Sequence, residues 1–365
     1  MRVEELTIRN FRSFASLDYR PEAGVNIICG ENGLGKTNLI ESIWLLTGFR
    51  SFRSLRDKET VKIGETAARV DAEVFSSGRK ADITLEIEDK RRFILNGESL
   101  PSGRSMMGVF NCVVFTPLHL SIIKGGPEER RRFLDVAVSR LRPGYAKTLL
   151  EYNRILFQRN TLLRTADRAR GAAGMLDVWD EQLSAKGAAI IRTRQEYLTL
   201  LAERAVRTYS EISAGRESLE IRYKEYSRAA ADDRESLQKS LLEALVRKRQ
   251  SDIERGATSV GPHREEFSVR LSGLSARSYG SQGQQRSCAL ALKLAEADVT
   301  AQVTGEEPVV LLDDVFSELD PGRQKYVADR FENRQVFITC CDPASLKYID
   351  SSAAVFELKT QSDTV

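Results

Sequence analysis

Eight consecutive residues, Gly30-Glu31-Asn32-Gly33-Leu34-Gly35-Lys36-Thr37, fit the phosphate-binding pattern in which four free positions separate a glycine from Gly-Lys-Thr. Glycines let the backbone curl so that successive N–H groups face one anion, and a helix starting near Lys36 adds the partial positive charge of its N-terminus. In such a loop the lysine, Lys36, reaches the β- and γ-phosphates, while the hydroxyl of Thr37 ligates Mg²⁺. ATP with Mg²⁺ is the expected cofactor, and Gly30, Asn32, Gly33, Gly35, Lys36 and Thr37 are the residues expected to hold it.

Two further stretches fit the same chemistry. In Val309-Val310-Leu311-Leu312-Asp313-Asp314, four apolar residues run into two acids. This reads as a central parallel strand delivering carboxylates at its C-terminal edge, where ligands of open α/β sheets gather. Asp313 is expected to hold Mg²⁺ directly or through water, and Asp314 to orient the attacking water. An ordinary strand ending in a polar turn has the same pattern, so the motif draws its weight from the loop at 30–37. In Tyr279-Gly280-Ser281-Gln282-Gly283-Gln284-Gln285, Ser281 and Gly283 stand at a helix start. That makes a second anion-binding N-terminus, or simply a serine cap.

The elements that must position these residues are legible in outline. Val3 to Ile8 alternates as a strand. Gly24 to Cys29 reads as a buried strand, and Lys36 to Thr47 as a helix with Leu39, Ile40, Ile43 and Leu46 on one face. Between Ala68 and Leu95 the period is two, ending in the turn signal Asn96-Gly97, so an antiparallel meander is expected. Val109 to Phe115 is another strand. From Pro127 to about Gly256 the texture is helical, with breaks expected near Pro143-Gly144, Gly171 to Gly174 and Gly215, and without the sustained heptads of a long coiled coil. Phe267 to Leu271 returns to strand, Gln284 to Val299 is helical, and Val309 to Leu312 and Val336 to Thr339 are buried strands. The tail after Lys359 reads as frayed. The expected fold is an α/β nucleotide-binding head with mixed sheets, residues 1–126 and 257–365, discontinuous around a mostly helical lobe, 127–256.

With 365 residues, 41% of them hydrophobic, the chain has ample material for two or three domains. The net charge is only +3, which excludes a protein basic throughout, so a nucleic-acid surface must come from local clustering. Glu128 to Arg170 shows such clustering, with eleven Lys/Arg against five Asp/Glu. Arg130, Arg131 and Arg132, then His263 and Arg264, are the candidate DNA contacts, expected to touch phosphates. A solvated helix start capped by Glu128 and Glu129 is the alternative for the arginine run. The five cysteines are scattered and read as reduced, small buried hydrophobes. The N-terminus carries no secretory h-region and no run approaches a membrane span, so a cytoplasmic, soluble protein without a membrane partner is expected.

The chain resembles the RecF family of ABC/SMC-type ATPases over nearly its whole length. The residues that carry the likeness are Asn10-Phe11-Arg12-Ser13-Phe14, the loop at 30–37, Phe115-Thr116-Pro117, Lys124 to Asp135, Gly261 to Phe267, Gly280 to Gln285, and Leu311 to Asp320. The segments KGGPEERRRFLD and GPHREEF are far more specific than the phosphate loop, which many proteins share. The resemblance implies an ABC/SMC-type head and a weak ATPase. Ser281, Gly283 and Gln284 would match the signature loop that meets the γ-phosphate held by a partner subunit. Ser317 and Asp320 would match the D-loop at that interface, and Arg12 the basic residue near the phosphates. It further implies an ATP-dependent homodimer that closes on duplex DNA near a gap or single-strand/double-strand junction and reopens on slow hydrolysis. Recombinational gap repair, replication restart and the SOS response are the implied settings, and RecR and RecO the implied mediator partners. A non-hydrolytic, ATP-gated DNA-binding module is the rival reading. A transporter ATPase subunit fits less well, because Cys340-Cys341 stands where transporters place a switch histidine. A phosphate-loop kinase would not need the Ser281 loop. The second acid, Asp314, stands where transporters carry Glu, and its shorter arm implies slow turnover.

Overall fold

The structure, a computed structural model, describes residues 1–54, 56–165, 172–224, 233–316, 319–331, 333–343, 346, 348–349 and 353–359. Ser317 and the tail beyond Lys359 lie outside them, as does Gly171 of the expected helix break. The chain divides into two compact units, the first made of 1–119, 208–215 and 289–365 and the second of 120–207 and 216–288.

The first unit holds two sheets. One has six antiparallel strands in the order β2-β1-β4-β5-β6-β7, with β1 Arg2–Phe11, β2 Phe14–Tyr19, β4 Ala68–Ser76, β5 Arg79–Ile87, β6 Arg91–Leu95 and β7 Glu98–Leu100. Its alternation is clean. Val70, Ala72 and Val74 on β4 and Ile83, Leu85 and Ile87 on β5 are buried, while Arg69, Asp71 and Glu73 face outward, Arg69 pairing with Asp71 on its own strand and with Glu86 on β5, and Glu73 with Lys80 on β5. The other sheet is parallel throughout, in the order β14-β3-β13-β12-β8, with β3 Val25–Cys29, β8 Cys112–Phe115, β12 Val309–Leu312, β13 Val336–Cys340 and β14 Ala354–Glu357. Its central strands are buried almost along their length and mostly apolar, with Asn26 and Thr339 as polar exceptions, as a sheet covered on both faces requires. The mixing of strand directions therefore lies between the two sheets. Helix α1, Lys36–Leu45, follows β3 and buries Leu39, Ile40 and Ile43, each burial contributing about 1.5–3 kcal/mol.

The second unit is mostly helical. It contains α2 Ser121–Lys124, α3 Pro127–Leu141, α4 Pro143–Thr165, α6 Arg234–Arg255, α7 Ala276–Tyr279, most of α5 Ala172–Ile212 and the start of α8 Gln282–Thr304, while α9 Pro321–Ala328 belongs to the first unit. The second unit also has its own antiparallel sheet, β11-β10-β9, formed by β9 Leu219–Lys224, β10 Glu266–Leu271 and β11 Leu274–Ser275. β9 sits inside the stretch read as helical, and it pairs with β10 from Glu266↔Lys224 to Leu271↔Leu219. That pairing draws residues 257–288 into the helical unit, where the sequence had put them in the head.

Buried ion pairs fasten this unit. Arg159, fully buried on α4, donates to Asp180 at 2.6 Å and Asp252 at 3.0 Å, and Arg194 on α5 holds Asp135 at 2.7 Å. Of the basic residues between Glu128 and Arg170, Arg159 is spent in this way, and Arg130 is paired with Glu266. Four cysteines, at 29, 112, 288 and 340, are buried as expected, and Cys341 is exposed.

Candidate functional site

Because β3, β13, β12 and β8 run parallel, their C-terminal ends share one edge. The register Cys340↔Cys29, Leu312↔Ile338 and Leu312↔Phe115 brings Gly30, Thr339, Asp313 and Thr116 to it from four distant segments. The glycines are required there. Gly30 has φ +145° and its missing Cβ would meet the Leu358 carbonyl oxygen at 2.7 Å. Gly35 has φ +102° and would drive a Cβ to 2.6 Å from the Ser13 hydroxyl. Gly33, at φ +91°, has open space where a side chain would stand, which leaves the loop backbone approachable.

Lys36 is buried, and its amine donates to the carbonyls of Gly30 at 2.7 Å and Glu31 at 3.0 Å, lying across the mouth of the loop it serves. The Thr37 hydroxyl donates to Asp313 Oδ1 at 2.9 Å, so the two residues expected to hold Mg²⁺ come together although 276 positions apart. A hydroxyl and a carboxylate are hard oxygen donors, and together with phosphate oxygens they fit Mg²⁺, which keeps several waters. Burial raises the Asp313 carboxyl above the usual carboxylate range, opposed by hydrogen bonds from Thr37 and Thr339. Asp314 takes a left-handed backbone, φ +53°, with its N–H donating to Thr339 Oγ1 at 2.8 Å. Thr339, fully buried, in turn donates to Asp313 Oδ1 at 3.0 Å.

Thr339 was missed from sequence. The only signal was a hydroxyl closing the apolar run Val336-Phe337-Ile338. Cys341 was missed as a site neighbour too: its thiol donates to Asn32 Oδ1 at 3.0 Å and lies 3.8 Å from the Lys36 amine. Glu41 is the third omission. It is fully buried on α1 and grips Arg12 by two bonds of 2.9 and 2.7 Å, accepts from Ser51, and draws in Arg53 at 3.6 Å. Arg12, at φ +53° just past β1, also donates to the Glu59 carbonyl and to Ser54. Its guanidinium is thus held on the face of α1 next to the phosphate loop.

In the second unit Ser281 caps α8. Its hydroxyl accepts from the N–H of Gln284 at 3.2 Å, and its own N–H donates to Gln284 Oε1 at 2.6 Å. This reciprocal box fixes a helix N-terminus on an exposed loop. Gln284 continues to Glu217 at 2.6 Å, and Gln285 ties the loop to the carbonyls of Ala276 and Arg277. Gly283 follows in the first turn. Asp320 caps α9 and pairs with Arg323.

Two of the five candidate DNA contacts are occupied inside the fold. Arg130 is 7% exposed, pairs with Glu266 at 2.6 Å and donates to the carbonyls of Ile122 and Gly125. It has the wrong address for a phosphate contact, because the first turn of α3 points it inward. Both ring nitrogens of His263 are taken, Nδ1 by the Tyr152 hydroxyl at 2.6 Å and Nε2 by the Thr258 carbonyl at 3.1 Å, and burial pulls its pKa down to about 4. A neutral, doubly bonded imidazole has little to offer DNA. Arg132 and Arg264 are exposed, Arg264 leaning on the Thr258 carbonyl, and Arg131 is half-buried.

Comparison with known proteins agrees with this arrangement. Residues 2–364 match the family model described as RecF/RecN/SMC N terminal domain. The chain is 35% identical over 364 residues to the DNA replication and repair protein RecF of Clostridium tetani, covering 98% of each. It is 40% identical over 343 residues to RecF of Heliobacterium modesticaldum, covering 93% of this chain and 92% of the relative. Among solved structures it superposes with a TM-score of 0.89 on the recombination mediator protein RecF with ATP in the RecFOR pathway, at 36% identity, covering 97% of this chain and 95% of that one. An Smc head domain from Pyrococcus furiosus, 15% identical with a TM-score of 0.54 over 95% of this chain and 92% of that one, shares the fold. Among the described residues no helix is long and apolar enough to cross a membrane.

Proposed function

The chain belongs to the RecF family, within the RecF/RecN/SMC N-terminal domain group, and on that premise we propose that ATP closes a homodimer of it on DNA and that slow hydrolysis reopens it. The observation that carries this reading is the line Thr37–Asp313–Thr339–Asp314 under the Lys36 amine, at the edge of the parallel sheet. Lys36 exchanges its two carbonyl partners for phosphate oxygens when ATP enters. Thr37 and Asp313 would hold Mg²⁺, which would supply positive charge against the β- and γ-phosphates. Asp314, its backbone pinned by Thr339, orients the attacking water. Its carboxylate is one methylene shorter than glutamate, which suits slow turnover.

Ser281 and Gly283 of a second copy complete the site. The N-terminus of α8, capped by Ser281, meets the γ-phosphate across the interface with its partial positive charge. By the family resemblance Asp320, and with it Ser317, which lies outside the described residues, would belong to the same interface, and Arg12 would stand beside the phosphates. The DNA is duplex near a gap or a single-strand/double-strand junction, and the setting is gap repair, replication restart and the SOS response. RecR and RecO are the protein partners, as the RecFOR pathway of the solved relative suggests.

Hydrolysis separates this switch from an ATP-gated binding module. In a single turnover with labelled ATP, wild type converts bound ATP to ADP slowly, and Asp314→Asn slows that step about a hundredfold or more, the usual range for a lost general base. Equal decay in both proteins transfers support to the non-hydrolytic module.

A further inference from the structure

The sheet β9-β10-β11 has two different faces. Leu219, Ile221, Phe267, Val269 and Leu271 are buried on one. On the other, the cross-strand pairs Lys224↔Glu266, Arg222↔Ser268, Glu220↔Arg270 and Arg270↔Ser275 put Arg222, Lys224 and Arg270 side by side. This open face is the floor of a groove of about 490 Å³, lined also by Ile122 and Ile123 of α2, by Arg130 and, from α7, by Arg277 and Ser278. Five cations, Arg130, Arg222, Lys224, Arg270 and Arg277, line it with one carboxylate, Glu266.

The pairing is incomplete in an informative way. Glu266 serves the buried Arg130 and, at 3.4 Å, Lys224, and Glu220 serves Arg222. Arg270 and Arg277 are exposed and make no ion pair among the described residues. Two free guanidinium groups at the side of the groove, with Lys224 and Arg222 more than half exposed along its floor, suit a repeating anion rather than a single carboxylate. α7 also ends at the signature loop, since the Arg277 carbonyl accepts from Gln285 four residues past Ser281.

We propose that this groove binds the phosphodiester backbone of DNA, with Arg270 and Arg277 as its principal phosphate contacts, and that occupancy braces α7 and with it the Ser281 cap. The assignment rests on the DNA-repair reading above and names a surface in which Arg130, committed to Glu266, lines the groove without serving as a phosphate contact, and in which His263 has no part. Each phosphate contact contributes about 0.9 to the slope of log affinity against log salt, so losing one costs about eightfold at 0.1 M salt.

The test measures anisotropy of a labelled 30-base-pair duplex with the full-length protein and ATP between 0.05 and 0.3 M salt. Wild type, Arg270→Ala, Arg277→Ala, the double variant and Arg20→Ala, an exposed arginine of the other unit, are compared, with circular dichroism and ATP binding confirming that each folds. The groove is supported if each single variant weakens binding about eightfold, the double variant flattens the salt slope by about 2, and Arg20→Ala changes little. It is overturned if the double variant keeps the wild-type affinity and slope, or if Arg20→Ala loses as much as Arg270→Ala. The broader reading survives both of those results and fails separately if the wild type itself does not bind the duplex.

Discussion

Thr339→Val removes one hydroxyl and leaves the shape of the side chain. That hydroxyl donates to Asp313 at 3.0 Å and accepts the Asp314 N–H at 2.8 Å, in a position with no solvent access. A hydrogen bond to a charged group contributes about 1.5–3 kcal/mol, and an orphaned buried N–H costs about 1–3 kcal/mol, so the substitution should destabilise the head by about 3 kcal/mol at neutral pH. The effect carries a pH signature. Burial already raises the Asp313 carboxyl, and the Thr339 donor is one of two bonds that lower it. In the variant the folded-state pKa rises further above the unfolded value. The native state then holds its proton over a wider window, and stability is lost as pH rises through it. The gap between wild type and variant is therefore widest at neutral pH and narrows in acid, where Asp313 is protonated in both. Urea unfolding at a series of pH values reads this. A gap that is constant with pH, or that widens in acid, refutes the role given to Thr339.

Gly35→Ala places a Cβ 2.6 Å from the Ser13 hydroxyl and 2.9 Å from Phe14 at a backbone of φ +102°. It should abolish ATP binding by calorimetry while Gly24→Ala, with nothing within 4 Å, does not. The depressed pKa of His263, about 4 against an ordinary 6.5, means the unfolded chain takes up a proton that the folded chain refuses. Stability present above pH 6.5 is then lost as pH falls toward 4, by about 3 kcal/mol over the full window. His263→Gln should remove that acid sensitivity, and an unchanged pH profile counts against the buried neutral imidazole.

The candidate nucleotide site was legible in outline because its parts are local. The loop at 30–37 and the run into Asp313-Asp314 each carry their chemistry in a few consecutive residues, and the meander from Ala68 declares itself by period two. What was hidden depended on distant partners. Leu219-Glu220-Ile221-Arg222-Tyr223-Lys224 alternates as well as any strand, but it is six residues long in a charged, helical neighbourhood and becomes a strand by pairing with β10. Counting charge along the chain overrated the arginines after Glu128, because Arg130 and Arg159 are neutralised by Glu266, Asp180 and Asp252 from elsewhere. Asp313 and Thr339 look unrelated in sequence and are joined by a hydrogen bond from the threonine hydroxyl to the carboxylate.

The central claim is that ATP bound at Lys36 is closed over by Ser281 of a second copy. Sedimentation velocity of the wild type with and without ATP, beside Lys36→Arg and Ser281→Arg, measures it. The account predicts a monomer without nucleotide, a dimer with ATP, and monomers for both variants, with Ser281→Arg still binding ATP. A wild type that binds ATP and stays monomeric contradicts it, as does a Ser281→Arg variant that dimerises as readily as the wild type.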